Sequence, residues 1–155
     1  MGATTKVDYD TDFVEWTAQE AQLLRERRFP ELDLENLAEE IEDLGKRDAS
    51  AARSQLVRML MHLVKLRIQP ERASKSWRRS IAGAQDIIED ALRVSPSLRR
   101  HLEANLQEIY QRAIRRALKE THLEPRAPHL GLPATCPYTL DELLTAELDD
   151  LARPR

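Results

Sequence analysis

The chain has 155 residues, of which 41% are hydrophobic and 33% charged, and its formal net charge is −3. This length suits one folded domain with its own core, and the balance of apolar and charged residues excludes a disordered chain. The small negative charge excludes a general attraction to nucleic acid or to anionic membranes, and no apolar run approaches the ~18 residues that a membrane span needs. A single cysteine, Cys136, excludes an intrachain disulfide and is typical of a reducing compartment, so we expect a cytoplasmic protein without a membrane partner.

The N-terminal part of the chain is predicted to be a short tail followed by a helix. Residues 1–9 form the flexible tail, and residues 10–150 form a single helical-bundle domain. Asp10 or Thr11 can cap the first helix, and Pro30 ends it. The apolar side of this helix is formed by Phe13, Trp16, Leu23 and Leu24.

A second, much longer helix is predicted from the N-cap Asp33 through Gly45 to Gln69. Its first turns are acidic, which suits the positive end of the helix dipole. Residues 54–69 are apolar nearly all round, and a helix with that pattern is normally buried. We therefore expect this part to be the central helix of a bundle. The apolar stripe of the earlier part consists of Leu34, Leu37, Ile41 and Leu44.

The next part of the chain contains two more predicted helices. Pro70 ends or kinks the long helix, and the following helix covers about residues 71–94. Ser95 is a good N-cap with Pro96 at the first helical position, and together they begin a helix that fades near Thr121.

The C-terminal region combines a proline-rich loop with a short helix. Residues 122–138 hold four prolines and Gly131, a density that no regular element tolerates, so we expect a connection strapped over the bundle. Thr139-x-x-Glu142 is a capping box that opens the last helix. The predicted fold class is therefore all-α, a bundle of about four long helices plus a short C-terminal helix, with the proline-rich loop strapped over the bundle.

Four polar side chains of the central helix form the first candidate site, which we call the polar seam. At ~100° per residue they share one narrow sector of the helix. Buried charges need counter-charges, and the acidic residues earlier on this helix lie roughly 30 Å away, so partners must come from other helices. The seam consists of Arg58, His62, Lys65 and Gln69, and its candidate partners are Glu71, Glu89, Glu103 and Glu108.

Three interpretations of the polar seam stay open. An internal network of ion pairs could fix the register of the helices. A pocket for a small anion or a nucleotide phosphate is the second interpretation, since Arg, Lys and His together favour phosphate. The third gives His62 the role of a catalytic base.

An acidic cluster at the start of the long helix is the second candidate site. Its secondary candidates are Glu39, Glu40 and Asp43, within a run that also holds Glu35 and Glu42. A di-metal bundle would need Glu-x-x-His partners on facing helices, and the sequence has none. The four histidines also have no metal-ligand spacing with each other or with the cysteine. We therefore expect a solvated helix start, no metal and no cofactor.

Two further features carry weaker indications of chemistry. Ser76 and Trp77 open a basic run in which cations beside an indole could hold phosphate or stack on a base. The spacing of Trp77 also fits the apolar face of its helix, and general nucleic-acid binding is not expected from the net charge. Cys136 would need an adjacent base to act as a nucleophile, and a small packing residue is the alternative. A further basic patch, interpreted as a solvated face, consists of Arg112, Arg115 and Arg116.

Several stretches resemble a known bacterial family, the domain-of-unknown-function family numbered twenty-nine. They are DLENLAEEIEDLG, MHLVKLRIQPERASKSWRRSI, SPSL and CPYTLDELL, and the similarity covers about residues 8–150. The resemblance implies an all-helical cytoplasmic domain and implies no activity or catalytic residue. It places in the family's characteristic motif His62, Lys65, Gln69, Pro70, Ser76 and Trp77.

The sequence leads to two hypotheses about function. The first is a non-enzymatic protein-interaction module, an accessory or antitoxin-like acidic helical protein that binds a basic partner or itself. Long helices with wide apolar faces favour a second chain, including a homodimer. The alternative is binding or hydrolysis of a phosphorylated small molecule or nucleotide in a pocket lined by the polar seam.

Overall fold

The computed structural model describes residues 5–153, and these residues form helices and contain no strand. The all-α prediction is confirmed. The chain forms two compact units, which we call unit 1 (residues 1–46) and unit 2 (residues 47–155). That residues 10–150 make up a single domain stays a prediction. None of the described helices is long and apolar enough to cross a membrane.

Unit 1 begins with helix α1, Phe13–Arg25, and continues through a short 3-10 turn, Phe29–Glu31. The cap of α1 is Asp12, whose carboxylate accepts a hydrogen bond from the backbone N–H of Glu15 at 3.0 Å. The prediction of a cap at position 10 or 11 was therefore wrong by one or two residues. The chain leaves the helix at Arg27, which adopts a left-handed φ of 59°.

The segment before α1 makes specific contacts within unit 1. The backbone N–H of Val7 donates to Gln19 Oε1 at 2.9 Å, and the Tyr9 hydroxyl donates to Glu40 Oε1 at 2.6 Å. The Tyr9 ring also meets the ring of Trp16 edge-on, at 4.9 Å between centroids. Residues 1–4 of the predicted tail lie outside the described residues, and the flexibility of the segment stays a prediction.

Helix α2 is the longest element and runs over Leu34–Ile68. It begins after Asp33, whose carboxylate accepts from the backbone N–H of Asn36, and it continues through Gly45 as predicted. The part of α2 that lies in unit 2 is the central helix of that unit. Its buried apolar side chains are Ala52, Leu56, Val57, Met59, Leu60, Met61, Leu63, Val64 and Leu66.

Helix α3 covers Lys75–Val94 and starts later than predicted. A 3-10 turn, Pro70–Arg72, follows α2, because proline cannot continue a helix. Ser74 then caps α3 by accepting the backbone N–H of Trp77 on its hydroxyl at 3.2 Å.

The fourth predicted helix is in fact two, α4 (Leu98–Ala104) and α5 (Leu106–Thr121). They are separated at Asn105, whose side-chain amide donates to the His101 carbonyl at 2.7 Å. An Asn side chain that bonds a nearby carbonyl competes with the helical backbone pattern, which gives the break its physical reason.

The proline-rich connection, which we call the strap (residues 122–138), is less irregular than predicted. It contains a 3-10 run, Glu124–His129, in which the tighter turns accommodate the prolines. Beyond that run, Gly131 takes a left-handed φ of 64°, where a side chain would be strained. Leu132 and Tyr138 then pack against the core, as expected for a strap.

Glutamine and tyrosine side chains of α5 hold the backbone of the strap. The side-chain amides of Gln107 and Gln111 each donate to the Ala134 carbonyl at 2.8 Å. The Tyr110 hydroxyl donates to the Pro133 carbonyl at 2.9 Å. The strap is therefore fixed through its main chain as well as its apolar side chains.

The C-terminus forms two short helices, α6 (Leu140–Thr145) and α7 (Leu148–Ala152). The capping box is confirmed, since Thr139 and Glu142 bond each other's backbone N–H groups at 2.9 and 3.2 Å. The backbone turns extended at Ala146 and separates the two helices.

Candidate functional site

The polar seam lies where α2, α3 and α5 of unit 2 meet. His62 and Lys65 are each 8% exposed, Gln69 is half-buried and Arg58 is exposed. The four residues therefore share a helix face, but only the middle two are buried.

Lys65 is held from two sides. Its Nζ donates to Glu120 Oε2 of α5 at 2.8 Å and lies 4.8 Å from the ring centre of Trp77 on α3. The ion pair lowers the pKa of Glu120 below its usual value. A buried lysine that gains a carboxylate and an aromatic face keeps its favourable interactions without water.

The prediction that the counter-charge comes from another helix agrees with the structure, but the residues predicted to supply it were wrong. The partner of Lys65 is Glu120, which was not among the four candidates, and one of those candidates, Glu108, pairs with Arg53 at 3.1 Å. Lys65 and Glu120 are 55 positions apart. No local spacing in the sequence reports which helices are neighbours, so no signal could have found this pair.

His62 lies beside the Lys65 contact, with its ring centroid 6.3 Å from that of Trp77. Burial lowers the pKa of His62, and the positive charges of Lys65 and Arg58 lower it further. Among the described residues, no group bonds its buried Nδ1. A neutral imidazole at this position can accept a proton, while the neighbouring ammonium is already paired.

The remaining candidate residues lie at the edge of this cluster. Arg58 donates to the Ser80 hydroxyl at 3.4 Å, and Ser76 is exposed on α3. Trp77 is half-buried and packs against the core, as its apolar spacing indicated. The structure thus brings together three of the six candidate residues, namely His62, Lys65 and Trp77.

The acidic candidates of α2 do not converge on one point. Glu39 is exposed, and Asp43 pairs with Lys46 at 3.3 Å. Glu40 accepts the hydroxyl of Tyr9, and this bond raises the pKa of Tyr9 to about 12. Across residues 5–153, no group of three or more His, Cys, Asp or Glu is placed to hold a metal ion.

The other candidate residues of unit 2 lie in a partly buried position, in an ion pair or on an exposed helix face. Burial raises the pKa of the Cys136 thiol, which donates to the Tyr138 carbonyl at 3.5 Å. Arg78 pairs with Asp149 at 2.9 Å. An exposed face of α5 carries Arg112, Arg115 and Arg116.

The apolar stripe of α2 in unit 1 is exposed to solvent. The exposed fraction is 65% for Leu34, 67% for Ile41 and 59% for Leu44, while Leu37 is half-buried. Of the nine large apolar side chains that are exposed in the described residues, seven belong to unit 1. The sequence predicts an apolar stripe on α2 but not whether the stripe is exposed to solvent. A helix face that packs against its own chain has the same periodicity.

Charge is divided unevenly between the two units. Unit 1 holds five Lys and Arg and thirteen Asp and Glu, a formal charge of −8, and unit 2 holds nineteen and fourteen, a formal charge of +5. The net charge of −3 hides this division. The exposed stripe therefore lies in the strongly acidic part of the chain.

Two open cavities also lie in unit 1. One, of about 190 Å³, is lined by residues that include Lys6, Gln19 and Arg28. The other, of about 270 Å³, is lined by residues that include Asp8 and Asp33. Neither is lined by a residue of the polar seam.

Comparison with known proteins places the chain in one family. A family model described as a domain of unknown function, DUF29, matches residues 9–148. Comparisons with curated proteins and with solved structures found no match. The matched range spans α1 to α6 and contains the cluster of His62, Lys65 and Trp77. The resemblance of the motif to family twenty-nine is confirmed, and the chain belongs to the DUF29 family.

Proposed function

We propose that this protein is a non-enzymatic protein-interaction module of the bacterial cytoplasm that binds a basic partner protein through the exposed stripe of α2. The observation that carries this proposal is the exposure of Leu34, Ile41 and Leu44 on one helix face. Contiguous apolar surface on a helix is a mark of protein interaction sites, whereas single exposed apolar residues are ordinary.

The charge of unit 1 supports a basic partner. A formal charge of −8 on 46 residues attracts a positively charged surface over a Debye length of about 8 Å at physiological salt. An accessory or antitoxin-like role, in which an acidic helical protein covers a basic one, fits this arrangement.

The polar seam supports a structural role more than a site for a ligand. Lys65 already has a carboxylate at 2.8 Å and an indole face, so a phosphate would have to displace Glu120. The cluster ties α2, α3 and α5 together and fixes their register.

Stripe-dependent co-purification tests the proposed function. We expect a specific protein to be recovered with the wild-type chain from its own cells and to be lost with Ile41→Lys. The matched control is Ile87→Lys on α3, which replaces another exposed isoleucine (50% exposed) and should retain the protein. Native mass spectrometry gives the stoichiometry. Recovery of the chain alone, or of the same proteins with both variants, would contradict the proposal.

We propose binding of a phosphorylated small molecule at the seam as the second candidate. The observation that favours it is the buried Nδ1 of His62 beside Lys65, since no group of residues 5–153 donates a hydrogen bond to this atom or accepts one from it. A thermal-shift series with nucleotides, with and without divalent cation, separates the two candidates. A melting temperature raised by a nucleotide in the wild type but not in Lys65→Met would favour the ligand site, and no shift would remove it.

A further inference from the structure

The exposed stripe has the spacing of a coiled-coil seam. Its four residues, Leu34, Leu37, Ile41 and Leu44, are separated by three, four and three positions, which are the a and d positions of successive heptads. This spacing lets a second helix lie along α2 with interlocking side chains. A partner helix with the same spacing could place its apolar side chains between those of the stripe.

Small residues border the stripe on one side. In the same heptad frame Ala38 and Gly45 occupy the e positions. A Cβ built on Gly45 would meet no atom within 4 Å, so this border is open space. A partner helix can therefore approach α2 closely on this side.

Acidic side chains lie on both borders of the stripe. Glu40 occupies the g position, and Glu35 and Glu42 follow the small residues on the other side at the b positions. Glu35 and Glu42 are exposed, and Glu40 is oriented by the hydroxyl of Tyr9 at 2.6 Å. Lysine and arginine on the flanks of a partner helix would complement these carboxylates.

We infer that the exposed stripe binds an amphipathic helix of another protein, with apolar a and d positions and flanks rich in Lys and Arg. This inference rests on the proposed function and names its partner. A second copy of the stripe is a poorer match. An antiparallel pair that aligns Leu37 with Ile41 would set two Glu40 carboxylates against each other and would join two units of charge −8.

Synthetic helices test the inference directly. Three peptides of about three heptads share leucine at a and d and differ only on their flanks, which carry Lys and Arg, Glu, or Gln. Binding to the full chain is measured by fluorescence anisotropy. We expect the basic peptide to bind at least about tenfold more tightly than the acidic one, and to weaken as ionic strength rises from about 0.05 to about 0.5 M.

Variants of the chain locate the binding surface. Ile41→Lys should weaken the basic peptide at least about tenfold, whereas the matched Ile87→Lys should not change it. The pair Glu35→Lys and Glu42→Lys should weaken the basic peptide and spare the Gln peptide. Glu89→Lys, an exposed carboxylate of unit 2, is the control for charge. Circular dichroism checks that every variant is folded.

The outcomes separate the inference from the proposed function. Equal binding of the three peptides, or tightest binding of the acidic one, overturns the basic helix and leaves an interaction surface. If none of the three peptides binds and native mass spectrometry shows a dimer that Ile41→Lys dissociates, the inference is overturned. The stripe is then assigned to a second copy of the chain. Failure of the peptides together with no stripe-dependent partner removes the inference and the proposed function.

Discussion

At the scale of single residues, Lys65 places its ammonium group between the carboxylate of Glu120 and the ring of Trp77. Each contact removes part of the cost of taking the charge out of water. Burial, together with the neighbouring cations Lys65 and Arg58, lowers the pKa of His62 beside it. Three residues of the family motif, His62, Lys65 and Trp77, therefore lie together where α2, α3 and α5 meet.

The variant Glu120→Ala should expose how much of the junction depends on the ion pair. Lys65 would stay buried without a counter-charge, and the free energy of unfolding should fall by about 1–2 kcal/mol. This is less than the cost of breaking a fully buried pair, because the Glu120 side chain is 43% exposed. Urea denaturation measures the change. Asp90→Ala, which breaks the exposed pair with Arg93, should stay within about 0.5 kcal/mol of wild type.

The variant His62→Gln should make stability less sensitive to acid. The lowered pKa of His62 means that the unfolded chain takes up the proton first, near pH ~6.5. Stability is therefore full above this pH and falls as the pH drops through the pKa of the folded state, by at most ~1.4 kcal/mol per pH unit. Unfolding curves at about pH 7 and about pH 5 measure the loss.

The exposed His129 provides the control for this pH dependence. His129→Gln should keep the acid sensitivity of the wild type. Glu120 titrates below its ordinary ~4.5 and does not contribute in this window. Identical pH dependence in wild type and His62→Gln would contradict the assignment.

At the scale of elements, α2 contains a residue that weakens a helix, and α5 carries side chains that hold another segment in place. α2 passes through Gly45 without a break, although glycine is a poor helix former. α5 presents Gln107, Tyr110 and Gln111 on one side, and these side chains bond the main chain of the strap. Gly45 therefore weakens α2 locally, whereas the three side chains of α5 hold a segment that lies further along the chain.

Gly45→Ala should stabilise the protein by about 0.5–1 kcal/mol, since alanine favours the helix and the added methyl group has open space. The same change at Gly131 should destabilise it, because Gly131 has a φ of 64°. Chemical denaturation distinguishes the two. Destabilisation by Gly45→Ala would show that something covers this side of α2.

Gln107→Ala should loosen the strap and make the thiol of Cys136 more accessible to solvent. Gln107 donates to the Ala134 carbonyl and accepts the backbone N–H of Cys136, both at 2.8 Å. Cys136 in the wild type should react slowly with a maleimide, because burial raises the pKa of the thiol. The variant should react several-fold faster. An unchanged rate would mean that apolar packing alone holds the strap.

At the scale of the whole molecule, the two units differ in core and in charge. Within the described part of unit 1, the buried apolar side chains are Trp16 and Leu23, whereas unit 2 buries nine apolar side chains of α2 and one face each of α3 and α5. A small core contributes little free energy to keep a unit folded. Unit 1 thus combines a small core with the exposed stripe.

Native-state hydrogen exchange should report this difference. The amides of α1 should exchange through openings of lower free energy than those around Leu60 in α2, because fewer buried contacts must be broken. Mass-spectrometric detection by peptide resolves the two regions. Equal protection of α1 and of the central part of α2 would show that both open as one unit.

The sequence by itself determined the helical class, the burial of the central part of α2 and the capping box at Thr139, because these depend on spacing within one helix. It also located the strap, since proline density acts locally. Helix ends were less predictable, because Ser74 and Asn105 set them through side-chain bonds.

Only the tertiary structure decided which residues meet across helices and which face is left open. Lys65 and Glu120 are far apart in the chain, and their pairing depends on how α2 and α5 pack. The stripe of Leu34, Ile41 and Leu44 has the same periodicity whether its own chain covers it or a partner does. Periodicity along one helix reports that a face is apolar, and the surrounding fold decides whether that face meets water.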